Sequence, residues 1–187
     1  MTSALMAITI ILQAVASAFV MPFTNTPIAL ALIPIAVGAI IYGPSCGLFL
    51  GSCWSLFILV SGQASFYFGM NAIGTIITVL SKGALAGYLT GVTYNLLKKY
   101  GYIVAVVAAS IVTPVINTSV YFLGMIVFFN EFFFGGAGND SPISYLMKVF
   151  FTTNFLIEIA VSTLLSPAVV RICDLCFKKL GIPTQSK

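Results

Sequence analysis

Apolar residues follow one another through most of this chain with no period-two alternation, as in ALALIPIAVGAIIYG and YIVAVVAASIVTPVINTSVYFLGMIVFF. Strands of a membrane barrel alternate apolar and polar positions over about ten residues. Continuous apolar runs read instead as helices that satisfy their own backbone in lipid. One span takes about 20 residues. The pattern predicts helices near 3–21, 27–42, 44–61, 71–97, 102–129 and 144–178. The second and third are short and divided only by Gly43-Pro44, so they form a tight hairpin or a pair of tilted, partly buried helices. The sixth exceeds one span and should emerge into water. The expected fold is an all-α integral membrane protein, six transmembrane helices in one bundle and a single domain over 1–187.

Composition removes the soluble alternative. Of 187 residues, 60% are hydrophobic and 6% charged, where a soluble domain carries about a quarter charged residues. Mean hydropathy is +1.12. Met1 leads straight into an apolar helix with no basic stretch and no A-x-A site, so a retained span is expected, with a signal peptide as the alternative.

Charge sets the expected orientation. Lys98, Lys99, Arg171, Lys178, Lys179 and Lys187 fall on one side, while segments 22–26, 62–70 and 130–143 hold Glu131 and Asp140 and no Lys or Arg. By the positive-inside rule both termini are cytoplasmic. The net charge of +4 is thus a topology signal, and no nucleic-acid partner is expected. The outer segments SGQASFYFGMN and NEFFFGGAGNDSP are rich in Gly, amide and aromatic residues. They suit a cover over an outward-facing small-molecule site, or an interfacial aromatic belt. The belt is the reading for Phe132, Phe133 and Phe134; both stand for Gln63, Tyr67 and Asn71.

Two charges interrupt the spans. Lys82 lies in MNAIGTIITVLSKGALAGYLTGVTYNLLKK and Glu158 in FFTTNFLIEIAVSTLLSPAVV. A charge at membrane depth costs at least a few kcal/mol and normally faces a protein interior or a watery cavity. At the helical rise Lys82 lies ~16 Å and Glu158 ~20 Å from the outer ends of their helices. The two either neutralise one another and fasten the fourth helix to the sixth, or contact a polar substrate. Asn154 stacks on the Glu158 face at i, i+4 spacing. Lys148, near the outer end of the sixth helix, either snorkels or attracts an anion. Asn117 shares a face with Thr113 and Tyr121, where interhelical hydrogen bonding is the default use and ligand contact the alternative. Ser3 with Ala7, Ala14 with Ala18, and Gly83 with Gly87 and Gly91 are small-xxx-small pairs, suited to close packing within the chain or to docking on another membrane subunit.

Enzyme chemistry is missing. Histidine is absent, which removes the usual general base and commonest metal ligand. No G-x-x-x-x-G-K-[ST] phosphate loop occurs, and four scattered acidic residues make no metal or acid/base site. Cys173 and Cys176 form a C-x-x-C at the cytoplasmic end of a helix; with only Cys46 and Cys53 besides, free thiols are expected rather than zinc. No enzyme and no cofactor is expected.

With six helices, a small-xxx-small first helix, the segment PIALALIPIAVGAIIYGPSCGLFLGSCWSLF, the fourth-helix pattern Lys82-Gly83-x-x-x-Gly87-x-x-x-Gly91 and the Thr153 to Arg171 segment TNFLIEIAVSTLLSPAVVR, the chain resembles the substrate-binding S component of energy-coupling factor (ECF) vitamin transporters. The resemblance implies capture of a vitamin from outside by the outer halves of helices four to six and loops one, three and five. It implies docking through helices one to three onto a membrane scaffold that carries two ATPases, with rotation of the subunit delivering the vitamin inward. That makes Ser3, Ala7, Ala14 and Ala18 docking candidates. The stretch LALIPIAVGAIIYGP is most similar to pantothenate-type members. Lys148 and Lys82 would suit the carboxylate, and Asn71, Asn117 and Asn154 the hydroxyl and amide groups. Folate, riboflavin, a pyridoxine-type ring and a queuosine precursor remain open, as do a structural or assembly membrane protein and a stand-alone carrier. The absence of a cobalt-type N-terminal His motif argues against a metal-ion member.

Overall fold

The computed structural model of the protein describes residues 2–17, 30–129 and 155–180. Every element among them is helical: α1 (Thr2–Ala16), α2 (Leu32–Tyr42), α3 (Pro44–Val60), α4 (Ser65–Phe68), α5 (Ala72–Leu97), α6 (Tyr102–Phe128) and α7 (Phe155–Leu180), with a 3-10 turn at Lys98–Tyr100. The helices expected at 44–61, 71–97 and 102–129 correspond to α3, α5 and α6. Residues 18–29 and 144–154, parts of the expected first, second and sixth helices, lie outside the described residues. The segment 62–70, expected as a loop, contains the short helix α4.

At 11 residues, α2 is ~16 Å long, too short to cross a hydrocarbon core about 30 Å thick. It carries no polar face, and a helix apolar all round belongs inside protein. Leu32 and Pro34 through Ile40 are accordingly buried. Its end is set by Gly43, whose φ of 92° favours glycine. The Gly43 N–H donates to the Ala39 carbonyl, and Pro44 then opens α3 at a position where the missing N–H costs no helical bond. The junction is the tight hairpin the Gly-Pro pair predicts.

Helices α3 and α5 meet backbone to backbone. A Cβ at Gly87 would strike the Gly47 carbonyl, one at Gly51 the Gly83 carbonyl, and one at Gly91 the Pro44 backbone. This is the close approach that small-xxx-small spacing permits. On its other side α5 runs along α6, where Gly124 accommodates the Thr78 side chain and the Thr90 and Thr113 hydroxyls lie 2.8 Å apart. Both hydroxyls also reach carbonyls of their own helices, Ala86 and Ala109. Two protons serve these three contacts, so the hydroxyl–hydroxyl bond forms at the expense of one back-bond.

Toward the Asn71 end, Ile35, Leu50, Trp54 and Val79 form one apolar core. Toward the Lys98 end, Val37, Val106, Val169 and Cys173 form another, uniting α2, α6 and α7. The exterior is apolar as well: Ile11, Ile73 and Val127 are 61%, 71% and 65% exposed. Among the described residues two helices, Ala72–Tyr100 and Tyr102–Phe128, are long and apolar enough to cross a membrane.

The glycine seam makes a packing prediction. Gly47→Ala and Gly87→Ala should each lower thermal stability in detergent by about 1–3 kcal/mol, the usual cost of overpacking. Gly69→Ala, whose new Cβ would lie 3.6 Å from its nearest neighbour, should stay within about 0.5 kcal/mol of wild type.

Candidate functional site

Two side chains beside the glycine seam create the most distinctive group in the bundle. Trp54 follows Gly51 on α3, and Lys82 precedes Gly83 on α5. Packing of the seam brings the Lys82 Nζ to 5.4 Å from the centroid of the Trp54 ring. From the other side the same Nζ lies 5.3 Å from the centroid of the Tyr121 ring on α6. A cation at this distance from two ring faces is stabilised by both quadrupoles, more strongly where water is excluded.

Each ring is fixed from behind. The Tyr121 hydroxyl lies 2.7 Å from that of Tyr67, and Tyr67 stands edge-on to Tyr121 and Phe129 at 6.2 and 5.7 Å. Burial pushes the Tyr67 phenol above its ordinary pKa, an effect the Tyr121 hydrogen bond partly offsets; at neutral pH the phenol stays protonated. Trp54 Nε1–H donates to Gln13 Oε1 at 2.9 Å, and Gln13 Nε2 donates to Gln63 Oε1 at 2.7 Å. Gln63, Tyr67, Lys82 and Tyr121, four of the candidates, are thus brought into one connected group under the segment between α3 and α5.

Below and beside this group lie buried polar atoms. Asn117 is one helical turn deeper than Tyr121 and only 4% exposed. Its Oδ1, together with Thr78 Oγ1 and Ser55 Oγ, meets no hydrogen-bond partner among the described residues. A buried acceptor without a donor costs about 1–3 kcal/mol; Ser55 Oγ lies against Gly83 and Thr78 Oγ1 against Gly124, within the helix contacts.

Asn71 sits apart from the group. Its Oδ1 accepts from the Gly74 N–H at 2.9 Å and its Nδ2 donates to the Phe128 carbonyl at 3.3 Å. It caps α5 and ties that end to the end of α6, and both polar atoms of its amide are used in doing so. Lys148, Asn154 and the side chain of Glu158 lie outside the described residues, as does Ala18. Ser3, Ala7 and Ala14 are exposed on the outer face of α1, opposite the buried Thr9, Gln13 and Ala16. Cys173 is buried in the core shared by α2, α6 and α7.

Gln13, Trp54 and Thr78 were not among the expected site residues. Two signals for them stood in the sequence: Trp54 is the one tryptophan of the chain, and Gln13 is the one amide inside the apolar run TSALMAITIILQAVA.

An apolar exterior and, among the described residues, two helices of membrane-spanning length are features of a membrane-embedded helical bundle. More narrowly, the chain belongs to the ECF transporter substrate-specific component family, whose family model matches residues 1–170. No curated protein matches it. Membership makes it a membrane-located transport subunit of an ECF system.

The capping role of Asn71 is testable without a ligand. Asn71→Ala should lower thermal stability by about 1–2 kcal/mol. Asn71→Asp and Asn71→Ser, which keep an oxygen for the Gly74 N–H, should recover most of the loss in the same melting assay.

Proposed function

We propose that this subunit captures pantothenate from outside the cell and delivers it through a membrane scaffold energised by two separate ATPases. The observation that carries the reading is the Lys82 ammonium, held between Trp54 and Tyr121 beneath the 61–71 segment. A positive group fixed by aromatic faces in a low-dielectric interior suits a carboxylate, which a lysine binds as a point charge. A hydroxyl or the amide of pantothenate would supply a donor to Asn117 Oδ1, a buried acceptor without a partner among the described residues. Glu158 and Asn154 would extend the polar wall from the last helix, with Lys82 as the balancing charge, and Lys148 would draw the anion inward from the outer interface.

The topology in this proposal has six membrane helices, with the short α2 buried among its neighbours and both termini in the cytoplasm, so α4 and the start of α5 face outside. The exposed small face of α1, with Ser3, Ala7 and Ala14, is the docking surface for the scaffold, and Ala18 continues the same sequence spacing. The aromatic cluster of Tyr67, Tyr121 and Phe129 favours a second reading, a ring-bearing vitamin such as riboflavin or folate.

Mass spectrometry of the protein purified from cells grown in rich medium separates these readings. Pantothenate is the expected co-purifying molecule; a flavin or pterin would replace it by the second reading. Failure to retain any vitamin, with no submicromolar binding by calorimetry, would count against both. Lys82→Met should weaken pantothenate binding about 10–100-fold, the range for losing one charge-assisted hydrogen bond. Ala7→Leu combined with Ala14→Leu should reduce the ATPase recovered with the affinity-tagged subunit.

A further inference from the structure

We infer that Gln13 is a positioning residue that couples α1 to the substrate site, holding Trp54 through its side-chain oxygen and Gln63 through its side-chain nitrogen. The inference rests on the proposed reading of the Lys82 group as the substrate site and of α1 as the docking helix.

Three observations carry it. Gln13 is 1% exposed although its helix is amphipathic only in the sense of one face inward and one outward. Of the side-chain hydrogen bonds made by α1 among the described residues, those of Thr9 and Ser17 return to α1 carbonyls, Leu5 and Ala14. The bonds that cross to other elements are the two made by Gln13, at 2.9 Å to Trp54 and 2.7 Å to Gln63. Leu5 and Met6 add apolar packing against the core of α2 and α3, contacts that lack the directionality of the two bonds to one amide.

The two partners belong to different walls of the site. Trp54 on α3 is the platform beneath Lys82. Gln63 lies in the segment that leads through α4 to Tyr67, and Tyr67 holds Tyr121, the second ring against Lys82. A shift of α1 therefore moves both aromatic faces that seat the lysine, through one amide. Coupling of this kind is reciprocal for equilibrium binding: if substrate changes the seat of α1, whatever grips the outer face of α1 changes substrate affinity by the same factor.

The single tryptophan makes the test direct. The full-length protein, wild type, Gln13→Leu and Gln63→Leu, is compared without ligand by tryptophan emission and by hydrogen exchange of residues 61–68. Leucine suits the apolar surroundings of Gln13, and Gln63→Leu provides the second variant. Gln13→Leu should shift the Trp54 emission and raise exchange in 61–68; Gln63→Leu should raise exchange and leave the emission at its wild-type position. Wild-type emission or wild-type exchange in Gln13→Leu overturns the inference. Pantothenate titration then separates coupling from proposed substrate. The expected result is about tenfold weaker binding to Gln13→Leu than to wild type, the size of one lost buried hydrogen bond. Equal affinities alongside altered emission would overturn the coupling. Wild-type protein that does not bind pantothenate refutes that substrate, while emission and exchange still decide the positioning role.

Discussion

Backbone contact between α3 and α5 is the constraint on which the rest of the bundle depends. Helices in lipid gain little from burying apolar side chains against each other, since the surrounding tails are equally apolar; close van der Waals approach and polar links decide how they associate. Gly47 against Gly87 and Gly51 against Gly83 bring the two backbones into contact. That register also sets the chemistry. Lys82 adjoins Gly83, and a Cβ on Gly83 would lie 3.1 Å from Trp54 Cε3, so the tryptophan ring and the lysine are brought side by side by the same contact that joins the helices. The interior cation is thus a consequence of the seam, and its position is as rigid as the seam.

The Asn71 end is organised around that contact by short polar links. Asn71 joins the beginning of α5 to the end of α6, the Tyr67–Tyr121 hydroxyl pair joins α4 to α6, and Gln13 joins α1 to α3 and to Gln63. Each link crosses between elements that are distant in sequence, and each lies on the Asn71 side of Lys82. Toward the Lys98 end Val106, Val169 and Cys173 pack on α2, and the Thr90–Thr113 hydroxyl pair and the Tyr102 hydroxyl on the Val170 carbonyl supply the polar links there.

The element boundaries were legible because hydropathy and the Gly-Pro, Lys-Lys and Asn punctuation carry them locally. Lys82 was legible because a charge in an apolar run is rare on any account. Gln63, Tyr67 and Tyr121 entered as polar residues of an outer segment and a polar stripe, and the fold joins them into one group. Asn71 had the same signature, and the fold shows it capping α5 and reaching the Phe128 carbonyl, a use that sequence spacing alone does not separate from ligand contact. The Gly83, Gly87, Gly91 stripe was visible, but its complement, Gly47 and Gly51, becomes meaningful only when α3 and α5 are seen to cross. Gln13 was hidden for a similar reason: one amide in an apolar helix says that a partner exists, not that it has two on different elements. The Lys82–Glu158 question spans an element whose Glu158 side chain lies outside the described residues, and sequence spacing supplies only comparable depth.

The aromatic seat of Lys82 changes how that question is posed. If a lone carboxylate had to offset the whole cost of an intramembrane ammonium, Lys82 and Glu158 would be locked together, and a substrate could compete only by breaking the pair. Two ring faces near 5.3 and 5.4 Å contribute stabilisation that does not depend on any anion, on the order of 2 kcal/mol for a desolvated contact. This is comparable to the lower range of the cost of burying the charge. In the proposed reading, the share met by Trp54 and Tyr121 lowers what any carboxylate beside Lys82 must supply, so that exchanging one carboxylate for another would cost less than breaking a pair held by Coulomb attraction alone.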